Sequence, residues 1–169
     1  MVHEHRPLRG HGNAVIVLLS FQLTLLAARL GVRYLPLPWH LLWLIGRLDR
    51  YANYLTLVTG IVFVMWFYRA RVNAEASGWR QRRARAWAFW GWLAPVANLW
   101  VPFQLMADIW RASLPEDQRG KTAWLPGLWW LCLLAGCGAG GWRPGLAWLA
   151  AAAGLLIVIV GRVTDSPIG

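Results

Sequence analysis

Acidic residues are scarce in this chain, seven Asp and Glu against seventeen Lys and Arg, and from Ala86 to Ala107 there is no charge of either sign. Charged residues make up 14% of the 169 positions and hydrophobic ones 58%, with a mean hydropathy of +0.41. A soluble domain interleaves its apolar positions with polar ones to keep a wet face, and the long uncharged runs here exclude that class. Runs of about 18 or more apolar residues cross a bilayer as helices, because its hydrocarbon core is roughly 30 Å thick. The chain reads as an integral membrane protein.

Other absences narrow the chemistry. No charge lies near the middle of an apolar run, which argues against a proton or ion pathway. There is no paired carboxylate inside a run, no HExxH and no glycine loop shaped for phosphate. Ser20, Ser77, Ser113 and Ser166 lack His and Asp at recognisable spacing. Cys132 and Cys137, the only cysteines, fall in one apolar run on different faces of a helix, which speaks against a disulfide between them. His3, His5 and His11 sit in a polar N-terminal segment, residues 1–12, read as solvated tail. Neither a metal nor a cofactor is expected. Lysine is limited to Lys121; the arginine, alanine, glycine and tryptophan bias resembles the coding of a high-GC bacterial genome.

What the chain does have is arginine and tryptophan. A net charge of +10 raises the question of nucleic acid, but the basic residues cluster between greasy runs, where they meet anionic lipid head groups instead. Fourteen tryptophans suit the head-group level, where the indole is half buried and its N–H stays wet.

The spacing predicts an all-α, polytopic transmembrane bundle of four to five spans in a single domain. The first span covers about Asn13 to Leu30, and the residues before Arg29 make a poor cleavage site, so it reads as uncleaved. Pro36 and Pro38 then open a short interfacial helix over 34–51. Further spans follow at 51–68, 122–142 and 145–161, and residues 162–169 form a short tail. Between them lie a basic loop, 69–85, with six arginines to one glutamate, and the uncharged segment 86–113.

That segment, with the sequence WGWLAPVANLWVPFQLMADIWRAS from Trp90 to Ser113, is the notable one. Read as a helix, Pro95 and Pro102 each remove a donor and free a carbonyl that lipid cannot satisfy. Asn98 lies between the breaks, and Gln104, Asp108 and Arg111 share one face. If the segment crosses, the basic residues divide almost evenly between the two sides. If it dips in and returns, they gather on the side of the N-terminus and the basic loop, as the positive-inside rule favours. Hydropathy favours crossing, and both readings stay open.

Broken membrane helices often line cavities. The expected function is a binding or accessory subunit that holds an anionic lipid-like or amphiphilic molecule, or a partner helix. Arg69, Arg71 and Asn73 with Arg111 form the basic, polar side of that site and take the ligand's anionic head, Asn98 and Gln104 supply amide contacts, and Trp90 and Trp100 supply walls. The alternatives are an enzyme on a lipid or isoprenoid-like substrate, with Asp108 as acid or base, and a small oligomeric exporter or immunity factor. Expected partners are anionic membrane lipids and a second membrane chain or copy, in a bacterial cytoplasmic membrane with loop 69–85 inside.

The order Tyr68-Arg69-Ala70-Arg71 with Asn73, then Trp92, Pro95, Asn98 and Pro102, then Trp110-Arg111-Ala112-Ser113, resembles the actinobacterial membrane family called domain of unknown function 4328. The match is close over Tyr51–Ser113, with Leu93-Ala94 where the family usually has an aromatic before its proline. The resemblance implies a membrane protein and brings no activity with it.

Overall fold

The computed structural model describes residues 7–32, 38–118, 123–138 and 143–168. They form helices α1 (Arg9–Val32), α2 (Trp39–Ala76), α3 (Trp87–Leu93), α4 (Val101–Ser113), α5 (Trp124–Gly138) and α6 (Arg143–Thr164). Short 3-10 turns occupy Ala97–Leu99 and Glu116–Gln118, and the described residues contain no strand. The helices follow from the solvent: a backbone in lipid must satisfy its own hydrogen bonds. Three stretches are long and apolar enough to cross a membrane, Arg9–Ala28, Tyr51–Ala76 and Gly145–Thr164, and α5 is a shorter apolar helix. The chain is thus a helical membrane protein.

Helix α2 changes the expected division of the chain. The interfacial helix expected over 34–51 is not a separate element; from Trp39 onward it is the first part of α2, and residues 34–37 lie outside the described residues. Arg47, Asp49 and Arg50 interrupt the hydropathy there but not the backbone, because none of them breaks a helix. At 38 residues α2 is about 57 Å long, well beyond the hydrocarbon thickness. Pro38, extended at φ −58° and ψ 146°, starts it. Gly78, at φ +83°, stops it in the left-handed region that glycine enters without strain, with its N–H donating to the Glu75 carbonyl.

Both expected tails are partly built in. Helix α1 begins at Arg9 with Leu8 fully buried, and Ile168 is buried beyond the end of α6. Contacts at these ends fix the topology. The Trp66 indole donates to Thr164 Oγ1 at 3.1 Å, Asn73 Nδ2 donates to the Ile168 carbonyl at 2.8 Å, and Arg69 Nη1 donates to the Pro7 carbonyl at 3.4 Å. The start of α1, the end of α2 and the end of α6 therefore share one end of the bundle, the basic end. Helices α1 and α2 pack together, α1 also against α6, and α6 against α5. Helix α4 closes the ring against α2 and α5.

The core is aromatic where α2, α3 and α5 meet. Trp92 stands edge-on to Phe63, Phe67 and Trp130 at 5.6–6.0 Å between centroids, and Trp129 lies 5.4 Å from Trp130. Trp66, Trp110, Trp129 and Trp130 are buried, whereas Trp39, Trp43, Trp90, Trp100, Trp124 and Trp148 are exposed. The tryptophans serve both settings: the indole is large enough to dominate a core as well as amphipathic enough for an interface.

Candidate functional site

The segment 86–113 does not form one kinked helix. Pro95 ends α3, since the residue before a proline is pushed out of the helical region and Ala94 is extended at φ −80° and ψ 111°. Pro102 begins α4 from within its first turn, where the missing N–H has no partner to lose. One proline stops and the other starts. Between them the Asn98 N–H donates to the Ala94 carbonyl, and the Trp130 indole of α5 donates to the Leu99 carbonyl at 2.8 Å. Helix α3 meets α4 closely at Gly91, where an added Cβ would come within 2.8 Å of Val101 Cγ1.

Both arms of this hairpin are rooted at the basic end. Asp108, 2% exposed, accepts from the Arg82 N–H at 3.3 Å and pairs at 3.6 Å with the guanidinium groups of Arg82 and Arg111. Arg83 Nε donates to Gln104 Oε1 at 3.3 Å, and its guanidinium lies over the Trp87 ring. The segment therefore returns to the end it came from, where Gln104 and Asp108 of α4 are tied to Arg83 and Arg82, just ahead of α3, and Arg111 pairs with Asp108 along α4. Burial pushes the Asp108 carboxyl above the usual carboxylate range, against the pull of the Arg82 N–H and of the Arg82, Arg111 and Arg71 charges.

Arg71 belongs to the same knot. It is 2% exposed, donates through Nη1 to Glu75 Oε2 at 3.0 Å and through Nη2 to the Arg83 carbonyl at 2.6 Å. Arg85 Nε reaches the same Glu75 oxygen at 2.8 Å. Of the residues singled out in the sequence, Arg71, Gln104, Arg111 and Asp108 thus come together, all on internal partners. Asn73 ties α2 to the C-terminal segment, and Arg69 reaches toward the start of the chain. Trp90 and Trp100 face outward, 61% and 43% exposed. Asn98 is half buried near the hairpin's tip, and its Oδ1 has no hydrogen-bond partner among the described residues. Asp108 lies about 10 Å along α4 from Val101, away from Asn98.

The space these residues were expected to line lies elsewhere. The hairpin is short, and beyond it α1, α2, α5 and α6 line an open groove of about 350 Å³. It is lined by Leu19, Phe63, Trp92, Trp129 and Leu156 together with the more polar Gln22, Thr56, Thr59 and Gly60. A second space of about 190 Å³ adjoins it, sharing Gln22, Thr56, Leu149 and Ala153. Gln22 Nε2 donates to Thr59 Oγ1 at 2.7 Å, a polar bridge between α1 and α2 in the middle of apolar helices. Sequence reasoning gave no role to these residues. Gln22, an amide inside an apolar run, was the one signal available, but its partner is 37 positions away.

No charged or titratable side chain is among the described residues that line either space. The described residues also contain no group of three or more His, Cys, Asp or Glu able to hold a metal ion.

No curated protein and no solved structure matches the chain. A family model does, over residues 42–165, which include α2 almost entirely, the hairpin, α5 and α6. The chain belongs to the family described as domain of unknown function (DUF4328).

Proposed function

We propose that this chain is a membrane-embedded binding protein, acting alone or as an accessory subunit, that holds a lipid-like amphiphile in the groove beyond the hairpin. The observation that carries the reading is the groove itself: about 350 Å³, open on one side and lined by four helices and Trp92 of the broken segment. That volume falls in the range of small-molecule sites, which are concave, mostly apolar and marked by a few polar groups. Binding is favoured over chemistry because Asp108 is turned to arginines at the basic end rather than toward the groove.

The membrane placement follows from charge. The basic end gathers the arginines of 69–85, of which 69–76 are the last turns of α2 rather than a loop, with the start of α1 and the end of α6, and the positive-inside rule favours the cytoplasmic side of a bacterial membrane for it. The exposed side chains of Arg80, Arg82 and Arg85 then meet anionic head groups there.

Native mass spectrometry of the detergent-purified protein, with lipid extraction alongside, tests the reading. A stoichiometric bound amphiphile is the expected result. Gly60→Leu is the matching variant, since Gly60 lines the groove and an added Cβ there meets open space. It is expected to keep the fold and lose the bound species. A protein bound only to itself or to another chain, with the groove variant unchanged, would overturn the proposal in favour of a packing role.

A further inference from the structure

We infer that the groove takes a neutral lipid alcohol with a single apolar chain, whose hydroxyl donates to Oε1 of Gln22. This rests on the binding reading above and names the chemistry of its ligand.

The hydrogen bonds around Gln22 fix which way its amide faces. The Thr59 hydroxyl has one hydrogen and gives it to the Leu55 carbonyl, so toward Gln22 its oxygen can only accept. The amide therefore turns Nε2 to Thr59, at 2.7 Å, and its oxygen away. That Oε1 has no partner among the described residues and is not closed off by burial, on a half-buried side chain that lines both spaces. Thr56 lines both spaces too. It is exposed and spends its hydroxyl hydrogen on the Ala52 carbonyl, which leaves a second oxygen able only to accept. Against these two oxygens stands one N–H, the second of the Gln22 amide. Joining α1 to α2 accounts for the bond to Thr59. It does not account for the oxygen on the other side, which hydrocarbon leaves unsatisfied.

A ligand suited to these walls brings a donor. An ester, a ketone or an ether adds only another acceptor, and an ammonium group would lose its hydration with no counter-charge to meet. A hydroxyl donates, stays neutral, and can also accept the remaining amide N–H. Shape supplies the chain. Helix α2 packs on α1, α3 and α4, and α5 and α6 pack on each other. Apart from the ring contact of Phe63 with Trp129, no such packing joins α2 to α5 or α6 among the described residues. The groove therefore opens sideways between them, and a membrane molecule enters it without leaving the bilayer. Its larger space follows α6 from Leu149 to Leu156, about 10 Å by the helical rise, between Leu19, Phe63 and Leu133. A partner helix about 10 Å across would need roughly 400 Å³ for each turn. The 350 Å³ and 190 Å³ spaces suit one extended chain instead.

The test is saturable binding of tritiated decan-1-ol to the purified protein in detergent, with Gly60→Leu giving the background of the micelle. Unlabelled decan-1-ol, decyl methyl ether, decane and dioctanoylglycerol compete. The expected result is that the alcohol displaces the label at concentrations about fivefold to tenfold lower than the ether or the alkane, the worth of one hydrogen bond. Gln22→Leu should remove that advantage and keep the binding of decane. Should Gln22→Leu fail to fold, the comparison of alcohol with ether in the natural chain decides. Equal competition by the three single-chain probes, or an advantage that survives Gln22→Leu, would overturn the hydroxyl contact and leave the binding reading standing. Stronger competition by dioctanoylglycerol than by decan-1-ol would overturn the single chain. No saturable binding above the Gly60→Leu background would overturn both the inference and the reading beneath it.

Discussion

Thr164 shows how much a single hydroxyl can carry in this core. It accepts the Trp66 indole N–H, and both residues are buried. Thr164→Val keeps the shape and removes the acceptor, leaving a buried donor unsatisfied, so a loss of about 1–3 kcal/mol is expected. Thermal or denaturant unfolding in detergent measures it. Asp108 makes a prediction in pH. Burial holds its carboxyl above the ordinary value despite the neighbouring arginines, so the folded state binds that proton more tightly than the unfolded chain does. The stability it contributes is then fully present below the unfolded carboxylate value and is lost as pH rises through the raised folded one. Asp108→Asn stays neutral throughout. Relative to it, the natural chain should lose stability between acid and neutral pH, and equal slopes in parallel denaturation series would contradict this.

The hairpin of α3 and α4 depends on how closely its arms approach. Gly91→Ala puts a methyl group 2.8 Å from Val101 Cγ1, and overpacking of this kind is expected to destabilise by about 1–3 kcal/mol. Gly138→Ala, with nothing within 4 Å of the added Cβ, is the control for glycine replacement as such, and both are read by unfolding midpoint. The break itself was legible in the sequence, because prolines in an uncharged run must interrupt a helix. Their division of labour was not. Pro95 and Pro102 look alike to a pattern reading, yet one follows the last turn of a helix and the other sits within a first turn. The continuity of α2 was hidden for a related reason, since hydropathy reports charge while helix breaking depends on the backbone.

Across the whole bundle, class and the basic cluster were readable, and the groove between the helices was not. The arginines of 69–85 stand in one run, whereas the groove draws on five helices from Leu19 to Leu156, and no spacing rule links residues so far apart. The return of the hairpin has a direct check in intact cells. In a cysteine-free background, single cysteines at Ala84 and Asp117 should react with an impermeant maleimide from the same side, and one at Trp39 from the other. Labelling of Ala84 and Asp117 from opposite faces would mean that 86–113 crosses the membrane.

The bond from the Trp130 indole to the Leu99 carbonyl also sets an order of events during synthesis. The hairpin leaves the ribosome before α5 does, so its tip carbonyl enters the membrane region without its donor. Until Trp130 arrives, the nascent hairpin must borrow water or the insertion machinery, and only then can it seat against its neighbours. A chain arrested just before Trp130 should therefore be far more open to protease at 94–100 than one arrested after α6. The last third of the protein thus acts on the middle as a folding partner supplied in cis, and biogenesis runs backward along the chain at this one point.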